Sequence, residues 1–383
     1  MNGIFDNVHK KLGFGLMRLP MLSGDVGGNG EVDTAQVCKM VDEFMAAGFN
    51  YFDTAHGYIG GKSELAAREC LVNRYDRDKF ILTNKLTDCY FNSKDEIRPF
   101  FESQLKLCGV EYFDFYLMHA LNAENYKKYQ KCDAFAVAAQ LKAEGKIRHV
   151  GISFHDKPEV LEQILADHPE TEVVQLQFNY ADYNDAGIQS KACYDVCVKH
   201  GKPVIVMEPV KGGSLVNLPQ QAANILADLN GGSAASYAIR FAASFDNNFM
   251  VLSGMSNLEQ LNDNISYMRE FTPLNDSEFA AVTEVCAILG KQNIIPCTAC
   301  RYCTAGCPKQ INIPSLFACM NAKDRYNNWN SSMYYDTLTN DGGKAGDCIE
   351  CGKCEKVCPQ HLEIRKLLKQ VSKVFDGKCG EEE

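Results

Sequence analysis

Eight short apolar runs, separated by longer amphipathic stretches, organise about the first 270 of the 383 residues. A short apolar run followed by a helix-like stretch is typical of a strand and its crossover helix, and such crossovers place consecutive strands parallel. Eight repeats in this length predict a closed (β/α)8 barrel, or TIM barrel, with an open doubly wound parallel sheet as the alternative. The runs occupy residues 11–19, 49–55, 79–86, 113–120, 149–155, 172–180, 203–210 and 249–255.

The sequence contains neither of the glycine-rich loops that commonly hold a nucleotide phosphate. Residues 13–15, "GFG", lack the third glycine of the dinucleotide fingerprint, and no P-loop pattern is present. A nucleotide bound by this barrel would therefore have to be held by other groups.

Polar residues interrupt the apolar runs near the ends of three consecutive predicted strands. Asp53 lies near the end of the second run and is followed by Tyr58, Lys85 lies in the third run, and His119 lies in the fourth. Because the carboxyl ends of barrel strands share one rim, we expect these four side chains in one pocket. A neighbouring ammonium lowers the pKa of a phenol, a carboxylate holds the ammonium, and an imidazole can bind a substrate oxygen. Such a set can act as a general acid toward a carbonyl, although each residue alone could be structural.

These residues lie in segments that resemble the active-site segments of the aldo-keto reductase superfamily. The matching stretches are "YFDTAHGY" (51–58), "TNK" (83–85) and "LMHA" (117–120), with "LGFGLMRLP" (12–20) and "VLSGMSNLEQLNDN" (251–264) similar to the first and eighth strand regions. The resemblance implies an enzyme that reduces a carbonyl substrate (an aldehyde, ketone or quinone) to an alcohol with NAD(P)H. It also implies the roles of the four residues. Tyr58 donates the proton, Lys85 and Asp53 adjust the pKa of the Tyr58 phenol, and His119 orients the carbonyl.

The same resemblance implies that the coenzyme, NAD(H) or NADP(H), lies extended across the strand ends. Ser153 and Gln177 fall where the family contacts the nicotinamide amide, and Glu208 falls where many members stack an aromatic residue on the ring. Phe154 stands where members often have Asn. The segment expected to hold the adenosine phosphate contains no Lys or Arg, which favours NAD over NADP unless Lys211 reaches the phosphate. The residues implied there are Gly254, Ser256, Asn257, Gln260 and Asn264.

Two cysteine runs follow the predicted barrel. "CTACRYCTAGCP" (297–308) and "CIECGKCEKVCP" (348–359) share the spacing C-x2-C-x2-C-x3-C-P. This is the bacterial ferredoxin pattern, in which the fourth cysteine of each run binds the cluster of the other run. A zinc ribbon and disulfides are the alternatives, but a zinc ion needs only four ligands. The pattern predicts one [4Fe–4S] cluster on Cys297, Cys300, Cys303 and Cys358, and a second on Cys348, Cys351, Cys354 and Cys307.

The last 94 residues are predicted to form a separate domain. Residues 290–383 carry 13 Lys and Arg against 11 Asp and Glu, whereas the residues before them are acidic overall. Helix-like stretches at 311–322 and 361–375 favour a small α-helical ferredoxin-like domain. We therefore predict the barrel at residues 1–289 and a two-cluster [4Fe–4S] ferredoxin-type domain at residues 290–383. This arrangement resembles the iron–sulfur-bearing branch of the aldo-keto reductases.

Charge and composition narrow the function further. A net charge of −10 argues against a nucleic-acid partner, and no apolar run reaches membrane-spanning length. Residues 1–10, "MNGIFDNVHK", lack an export pattern, so a cytoplasmic location is expected. The expected partners are a small carbonyl substrate and, through the clusters, a ferredoxin or other electron-transfer protein. The alternative to the NAD(P)H-dependent reductase is a ferredoxin-linked electron-transfer protein, or a reductase whose barrel receives electrons from the clusters.

Overall fold

The computed structural model describes residues 3–23, 30–185, 188–229, 232–290, 295, 297, 301–326, 330–340, 342–358 and 362–377. Contacts within the chain divide it into two compact units. The first comprises Met1–Asn184, Ile188–Val210 and Leu226–Ala280, and the second comprises Asp185–Gly187, Lys211–Ile225 and Ala281–Glu383. The domain boundary between residues 289 and 290 stays a prediction.

The first unit contains a closed barrel of eight parallel strands, arranged in the order in which they occur in the chain. Each strand pairs with the next, and the first pairs with the eighth. The (β/α)8 barrel predicted from the apolar runs is therefore confirmed, and the open-sheet alternative is wrong. The strands are β1 (Leu12–Gly15), β2 (Tyr51–Asp53), β3 (Ile81–Leu86), β4 (Phe113–Leu121), β5 (Ile147–Phe154), β6 (Val173–Gln177), β7 (Val204–Met207) and β8 (Asn248–Ser253).

Helices connect these strands, as parallel pairing requires. A π-helical turn, Arg68–Val72, extends the second of them. The helices of residues 30–290 are α1 (Thr34–Ala46), α2 (Lys62–Ala67), α3 (Lys94–Cys108), α4 (Ala123–Lys131), α5 (Ala134–Ala143), α6 (Pro158–Asp167), α7 (Ser190–Lys199), α8 (Gln220–Ala227), α9 (Ala234–Ala243), α10 (Leu258–Met268) and α11 (Asp276–Gly290).

Short polar residues begin several of these helices. The side chains of Asp33 and Asn257 accept hydrogen bonds from backbone N–H groups in the first turns of α1 and α10. Asn122 forms a reciprocal capping box with Asn125 at the start of α4, and Pro158 occupies the first turn of α6. These residues suit a first turn, where the N–H groups have no partner inside the helix.

Apolar side chains fill the amino-terminal half of the barrel. Phe5 packs against this cluster and stacks on Phe115 and Phe249, with ring centroids 5.4 and 5.3 Å apart. In β5, a Cβ added to Gly151 would lie 2.5 Å from the carbonyl oxygen of Val173, so only glycine fits. Because one end of the barrel is filled in this way, polar residues can face a ligand only at the carboxyl end. The buried cluster consists of Tyr51, Ile81, Phe115, Leu117, Val173, Ile205, Met250 and Leu252.

The second unit is helical around a small apolar core. Helix α13 (Ile313–Tyr326) contacts both α14 (Asn330–Thr339) and α16 (Ile364–Phe375). The helices predicted at 311–322 and 361–375 are present as α13 and α16. Ile313, Leu316, Phe317, Tyr335 and Leu368 are buried in this core. Within the residues described above, no helix combines the length and apolarity needed to cross a bilayer. The helices that follow residue 300 are α12 (Tyr302–Ala305), α13 (Ile313–Tyr326), α14 (Asn330–Thr339), α15 (Lys353–Lys356) and α16 (Ile364–Phe375).

Candidate active site and cysteine cavity

Four polar side chains meet at the carboxyl end of the barrel. Asp53 is the last residue of β2, Tyr58 opens a short 3-10 turn after it, and Lys85 and His119 lie near the ends of β3 and β4. The Nζ atom of Lys85 donates a hydrogen bond to Oδ1 of Asp53 at 2.5 Å and lies 4.8 Å from the centroid of the Tyr58 ring. The rings of Tyr58 and His119 are 6.0 Å apart, centroid to centroid. The structure thus brings all four predicted residues together, while their catalytic roles stay a prediction.

Burial and charge set the protonation of this group. Burial alone lowers the pKa of Lys85, but the charge of Asp53 and the phenol of Tyr58 raise it above the ordinary value, so the ammonium stays charged. Burial raises the pKa of Tyr58, and the nearby charge of Lys85 offsets only part of this rise. The net direction for Tyr58 is opposite to the one expected from the sequence, because the cost of burying a phenolate outweighs the attraction of the ammonium. The phenol is therefore held in its protonated form.

A bulge in β4 positions His119. The pairing of β4 with β5 shifts register between Met118 and Leu121, and Ala120 within the bulge has a left-handed φ of +53°. The Nδ1 atom of His119 is hydrogen-bonded to Oγ1 of Thr87 at 2.7 Å. Burial, together with the charge of Lys85, holds the pKa of His119 well below its usual value. The imidazole is therefore neutral near pH 7.

Several residues that support the site were missed by the sequence analysis. Gln175 donates a hydrogen bond to the second oxygen of Asp53 at 3.0 Å, and its place two residues before Gln177 puts both side chains on the same face of β6. Behind Lys85, the fully buried carboxylate of Glu64 accepts hydrogen bonds from Asn84 at 2.8 Å and from Gln104 at 3.2 Å. Glu64 lies on α2, and nothing in the helix pattern distinguishes it from an exposed residue.

In the second unit, four cysteines line one small cavity: Cys307, Cys348, Cys351 and Cys354. Cys307 comes from the first run and the other three from the second, which is the combination predicted for one cluster. Three of the cysteines predicted for the other cluster, Cys297, Cys303 and Cys358, lie in or against the apolar core of the second unit. The fourth, Cys300, lies outside the described residues.

The two cysteine runs have the same local backbone. Arg301 and Gly352 occupy matching positions in the two runs, and both are left-handed, with φ of +64° and +69°. A four-residue helix follows each of them, α12 carrying Cys303 and α15 carrying Cys354, and these two helices contact each other. The two runs therefore share this left-handed turn as well as their cysteine spacing. Only Gly352 indicates the turn in the sequence, because glycine favours a left-handed φ and arginine does not.

The thiols around this cavity fit an iron–sulfur cube. A [4Fe–4S] cluster takes four cysteine thiolates, one for each iron, and the cavity supplies four from two separate loops. None of these four cysteines is in a disulfide. In the described part of the chain, no three His, Cys, Asp or Glu side chains are placed to hold a single metal ion.

Comparison with known proteins identifies the family. Residues 11–287, more than two thirds of the chain, match the family model described as "Aldo/keto reductase family". The chain belongs to the aldo/keto reductase family. Residues 296–362 match the model described as "4Fe-4S dicluster domain", so the C-terminal part of this aldo/keto reductase is a ferredoxin-type domain.

Individual relatives are distant. The chain is 26% identical over 221 residues to the NADH-specific methylglyoxal reductase of Escherichia coli, covering 52% of this chain and 65% of that one. It is 33% identical over 118 residues to an aldo-keto reductase of a Mycobacterium species, covering 30% of this chain and 40% of that one. The chain thus spans less than two thirds of the length of these curated relatives.

Solved structures share the fold. An aldo-keto reductase of Bacillus halodurans in its holo form is 23% identical and matches with a TM-score of 0.58 over 72% of this chain and 92% of that one. An aldo/keto reductase of Klebsiella pneumoniae, in complex with NADP and acetate, is 20% identical and matches with a TM-score of 0.58 over 72% of this chain and 90% of that one. At these identities the similarity establishes the barrel fold.

Three residues predicted to contact nicotinamide lie around the rim of this aldo/keto reductase barrel. Oγ of Ser153 accepts a hydrogen bond from the backbone N–H of Ala120 at 2.7 Å, so it also supports the bulge that carries His119. Nε2 of Gln177 donates to Oδ2 of Asp182 at 2.7 Å. Glu208 immediately follows β7. Their contact with a coenzyme stays a prediction.

The predicted phosphate segment surrounds the start of α10. Asn257 caps this helix, Oε1 of Gln260 accepts a hydrogen bond from the backbone N–H of Ser256 at 2.7 Å, and Asn264 donates to Ser253 at 2.6 Å. The side chains of Asn257 and Gln260 therefore shape the backbone of the segment.

A cation missed by the sequence analysis lies beside the same segment. A Cβ added to Gly254 would lie 3.2 Å from Cδ of Arg18, and the backbone oxygen of Arg18 accepts a hydrogen bond from Ser256 at 2.8 Å. An arginine guanidinium is a charge-assisted donor that suits a phosphate, whereas the backbone N–H groups of Ser256 and Gln260 are already bonded to the side chains of Gln260 and Asn257. Lys211, the cation considered from sequence, opens a 3-10 turn in the second unit.

Proposed function

We propose that this protein is an oxidoreductase that reduces a carbonyl substrate to an alcohol with NAD(P)H, and that Tyr58 donates the proton. The observation that carries this proposal is the buried ammonium of Lys85, hydrogen-bonded to Asp53 and lying beside the Tyr58 ring. A buried charge is costly to maintain, and this one lies next to a phenol that is largely but not completely buried. Membership of the aldo/keto reductase family supports the same reading.

Each residue has a distinct task in the proposed reaction. Bound NAD(P)H supplies a hydride to the carbonyl carbon. Tyr58 gives its phenolic proton to the carbonyl oxygen, so that the carbonyl gains one hydride, which carries both electrons, and one proton. In the tautomer in which Nδ1 accepts from the Thr87 hydroxyl, Nε2 of the neutral His119 imidazole carries the proton and donates to the same oxygen. Lys85, held by Asp53, stabilises the charge that remains on Tyr58 until a solvent proton replaces it.

For the ferredoxin-type domain we infer two [4Fe–4S] clusters, which would supply one-electron transfer. Cys348, Cys351, Cys354 and Cys307 would hold one, and Cys297, Cys300, Cys303 and Cys358 the other. Cys351 is exposed, which favours electron exchange with an external carrier and keeps the alternative function open: a barrel that receives its electrons through the clusters. Reduced methyl viologen supporting carbonyl reduction without nicotinamide would favour that alternative.

The test of the proposed function is the variant Tyr58→Phe. Methylglyoxal, the substrate named for the Escherichia coli relative, is a suitable first probe, with NADH and NADPH each tried. Loss of general-acid catalysis should lower kcat by about 10²–10⁴-fold while coenzyme binding is retained. Tyr75→Phe is the matched control, because that hydroxyl is bonded to Asp42, away from the rim. Unchanged turnover in Tyr58→Phe would remove Tyr58 from the reaction.

A further inference from the structure

The carboxylate of Glu64 joins three other segments of the barrel through hydrogen bonds. Glu64 lies on α2 and is fully buried. Its Oε1 atom accepts hydrogen bonds from Nδ2 of Asn84 at 2.8 Å and from Nε2 of Gln104 at 3.2 Å. Its Oε2 atom is hydrogen-bonded to Nδ1 of His56 at 2.7 Å. Glutamate is almost never fully buried unless its carboxylate is paired, and here both oxygens have partners.

Two of these partners also hold the backbone of Lys85. The Oδ1 atom of Asn84 accepts a hydrogen bond from the Lys85 backbone N–H at 2.8 Å, and Nε2 of Gln104 donates to the Lys85 carbonyl oxygen at 3.1 Å. Asn84 and Gln104 are themselves fully buried, so water cannot replace a partner that they lose. Removal of the Glu64 carboxylate would therefore leave both amides without their shared acceptor and free them to turn away from Lys85.

The third partner, His56, belongs to the segment that carries Tyr58. The chain turns sharply immediately after Tyr58, because the buried Ile59 has a left-handed φ of +52°, which is an outlier for a β-branched residue. Strain of this kind persists only where the surrounding structure holds it. The hydrogen bond between His56 and Glu64 joins the residues on the two sides of this turn, and the His56 ring packs edge-on against two aromatic rings.

We propose that Glu64 is a positioning residue for the proposed reaction. By holding the backbone of Lys85 and the turn after Tyr58 at the same carboxylate, it keeps the Lys85 ammonium beside the phenol. Nζ of Lys85 lies 4.8 Å from the centroid of the Tyr58 ring, and a shift of either backbone would change this separation. The inference rests on the proposed function, because it concerns the proton that Tyr58 donates. It adds no covalent or redox step to the reaction.

The test compares kcat in wild type, Glu64→Leu and Glu64→Gln. The substrate is methylglyoxal or whichever simple aldehyde, ketone or quinone wild type reduces fastest. The value of kcat is expressed per coenzyme-binding site, counted by fluorescence titration, so that unfolded protein does not contribute. Leucine removes all three hydrogen bonds, and we expect kcat to fall about ten- to a hundredfold, the effect of a misplaced reacting group.

Two further variants show whether the hydrogen bonds are responsible. Glu64→Gln keeps an oxygen that accepts from Asn84 and Gln104, and its amide N–H can donate to Nδ1 of His56 in the tautomer whose proton is on Nε2. It should therefore keep most of the wild-type kcat. Glu69→Leu, at an exposed position in the π-helical turn after α2, is the matched control and should not change kcat. Equal losses in Glu64→Gln and Glu64→Leu would overturn the inference, because charge rather than hydrogen bonding would then be responsible.

A double-mutant cycle with Tyr58→Phe separates positioning from a merely structural role. If Glu64 acts through Tyr58, Glu64→Leu should change the residual rate by less than about twofold once the phenol is gone. The same loss in both backgrounds would show a general structural effect and overturn the inference. A change in KM with kcat intact would assign Glu64 to substrate binding and also overturn it. If Glu64→Leu fails to fold, His56→Leu replaces it, and a wild-type kcat in that variant overturns the inference.

The outcomes also distinguish this inference from the proposed function. If wild type reduces no aldehyde, ketone or quinone with either coenzyme, or if Tyr58→Phe leaves turnover unchanged, the proposed function fails and this inference fails with it. If Tyr58→Phe lowers kcat and Glu64→Leu does not, only this inference fails.

Discussion

The ammonium of Lys85 lies 2.5 Å from the carboxylate of Asp53, and the Lys85 side chain is entirely buried. The same ammonium donates to the backbone oxygen of Thr54 at 2.9 Å, while the second oxygen of Asp53 is bonded to Gln175. Each charge is therefore satisfied inside the barrel. A buried ion pair of this kind contributes little net stability when intact and costs much when one partner is removed.

Breaking this pair should strongly destabilise the barrel. In Asp53→Asn the buried ammonium of Lys85 loses its counter-charge, and we expect a decrease of about 3–5 kcal/mol in the free energy of unfolding, measured with urea. The double variant Asp53→Leu, Lys85→Met should recover much of this loss. Asp195→Asn, which breaks the exposed pair with Lys191, should cost less than about 1 kcal/mol. Equal effects of Asp53→Asn and Asp195→Asn would contradict the prediction.

Stability should fall as the pH decreases below about 6.5, because two partly buried histidines have lowered pKa values. Burial, with a smaller effect from the charge of Lys85, lowers the pKa of His155 to about 4, and the pKa of His119 is also lowered. Between pH 6.5 and 4 the unfolded chain binds a proton at His155 that the folded protein does not, so acid favours unfolding. Between pH 7 and pH 5 wild type should lose about 2 kcal/mol more than His155→Gln. Urea unfolding at the two pH values measures this difference, and identical losses would contradict the lowered pKa.

Ser153 should affect catalysis through the position of His119. Ser153→Ala leaves the partly buried N–H of Ala120 without its acceptor, and we expect a loss of about 1 kcal/mol in stability. The disturbed bulge should also lower kcat/KM, while Ser153→Thr, which keeps the hydroxyl oxygen, should restore both. A loss of coenzyme affinity alone, with stability unchanged, would instead support the contact with nicotinamide implied by the family resemblance.

The barrel and its four rim residues could be predicted because both depend on short-range patterns. Strand spacing determines the fold, and Asp53, Lys85 and His119 lie near the ends of consecutive strands, where barrel geometry alone brings them together. The residues that were missed, such as Arg18 and Glu64, reach the site from the turn after β1 and from a helix. Their direction depends on packing between layers, which a sequence pattern does not reveal.

The protonation of Tyr58 also depends on packing. From sequence, only the attraction between Lys85 and a phenolate is visible, and it favours a lowered pKa. The cost of burial is known only once the surroundings of the ring are known, and this cost reverses the direction. The hydrogen bonding of Glu208 depends on packing in the same way. The sequence identifies the carboxylate, but it does not show that its buried Oε2 atom has no donor among the described residues.

The shared cavity predicts that one cysteine of the first run is needed for the cluster of the second. Cys307→Ala should remove about four of the roughly eight irons per chain expected for two cubes, measured by iron and sulfide assay after anaerobic purification. Cys319→Ala is the matched control, because burial raises the pKa of that thiol to about 12 and so disfavours the thiolate that iron binds. Iron content that falls equally in both variants would show that the loss reflects general damage to the helical core, and an unchanged content in Cys307→Ala would exclude this cysteine as a ligand.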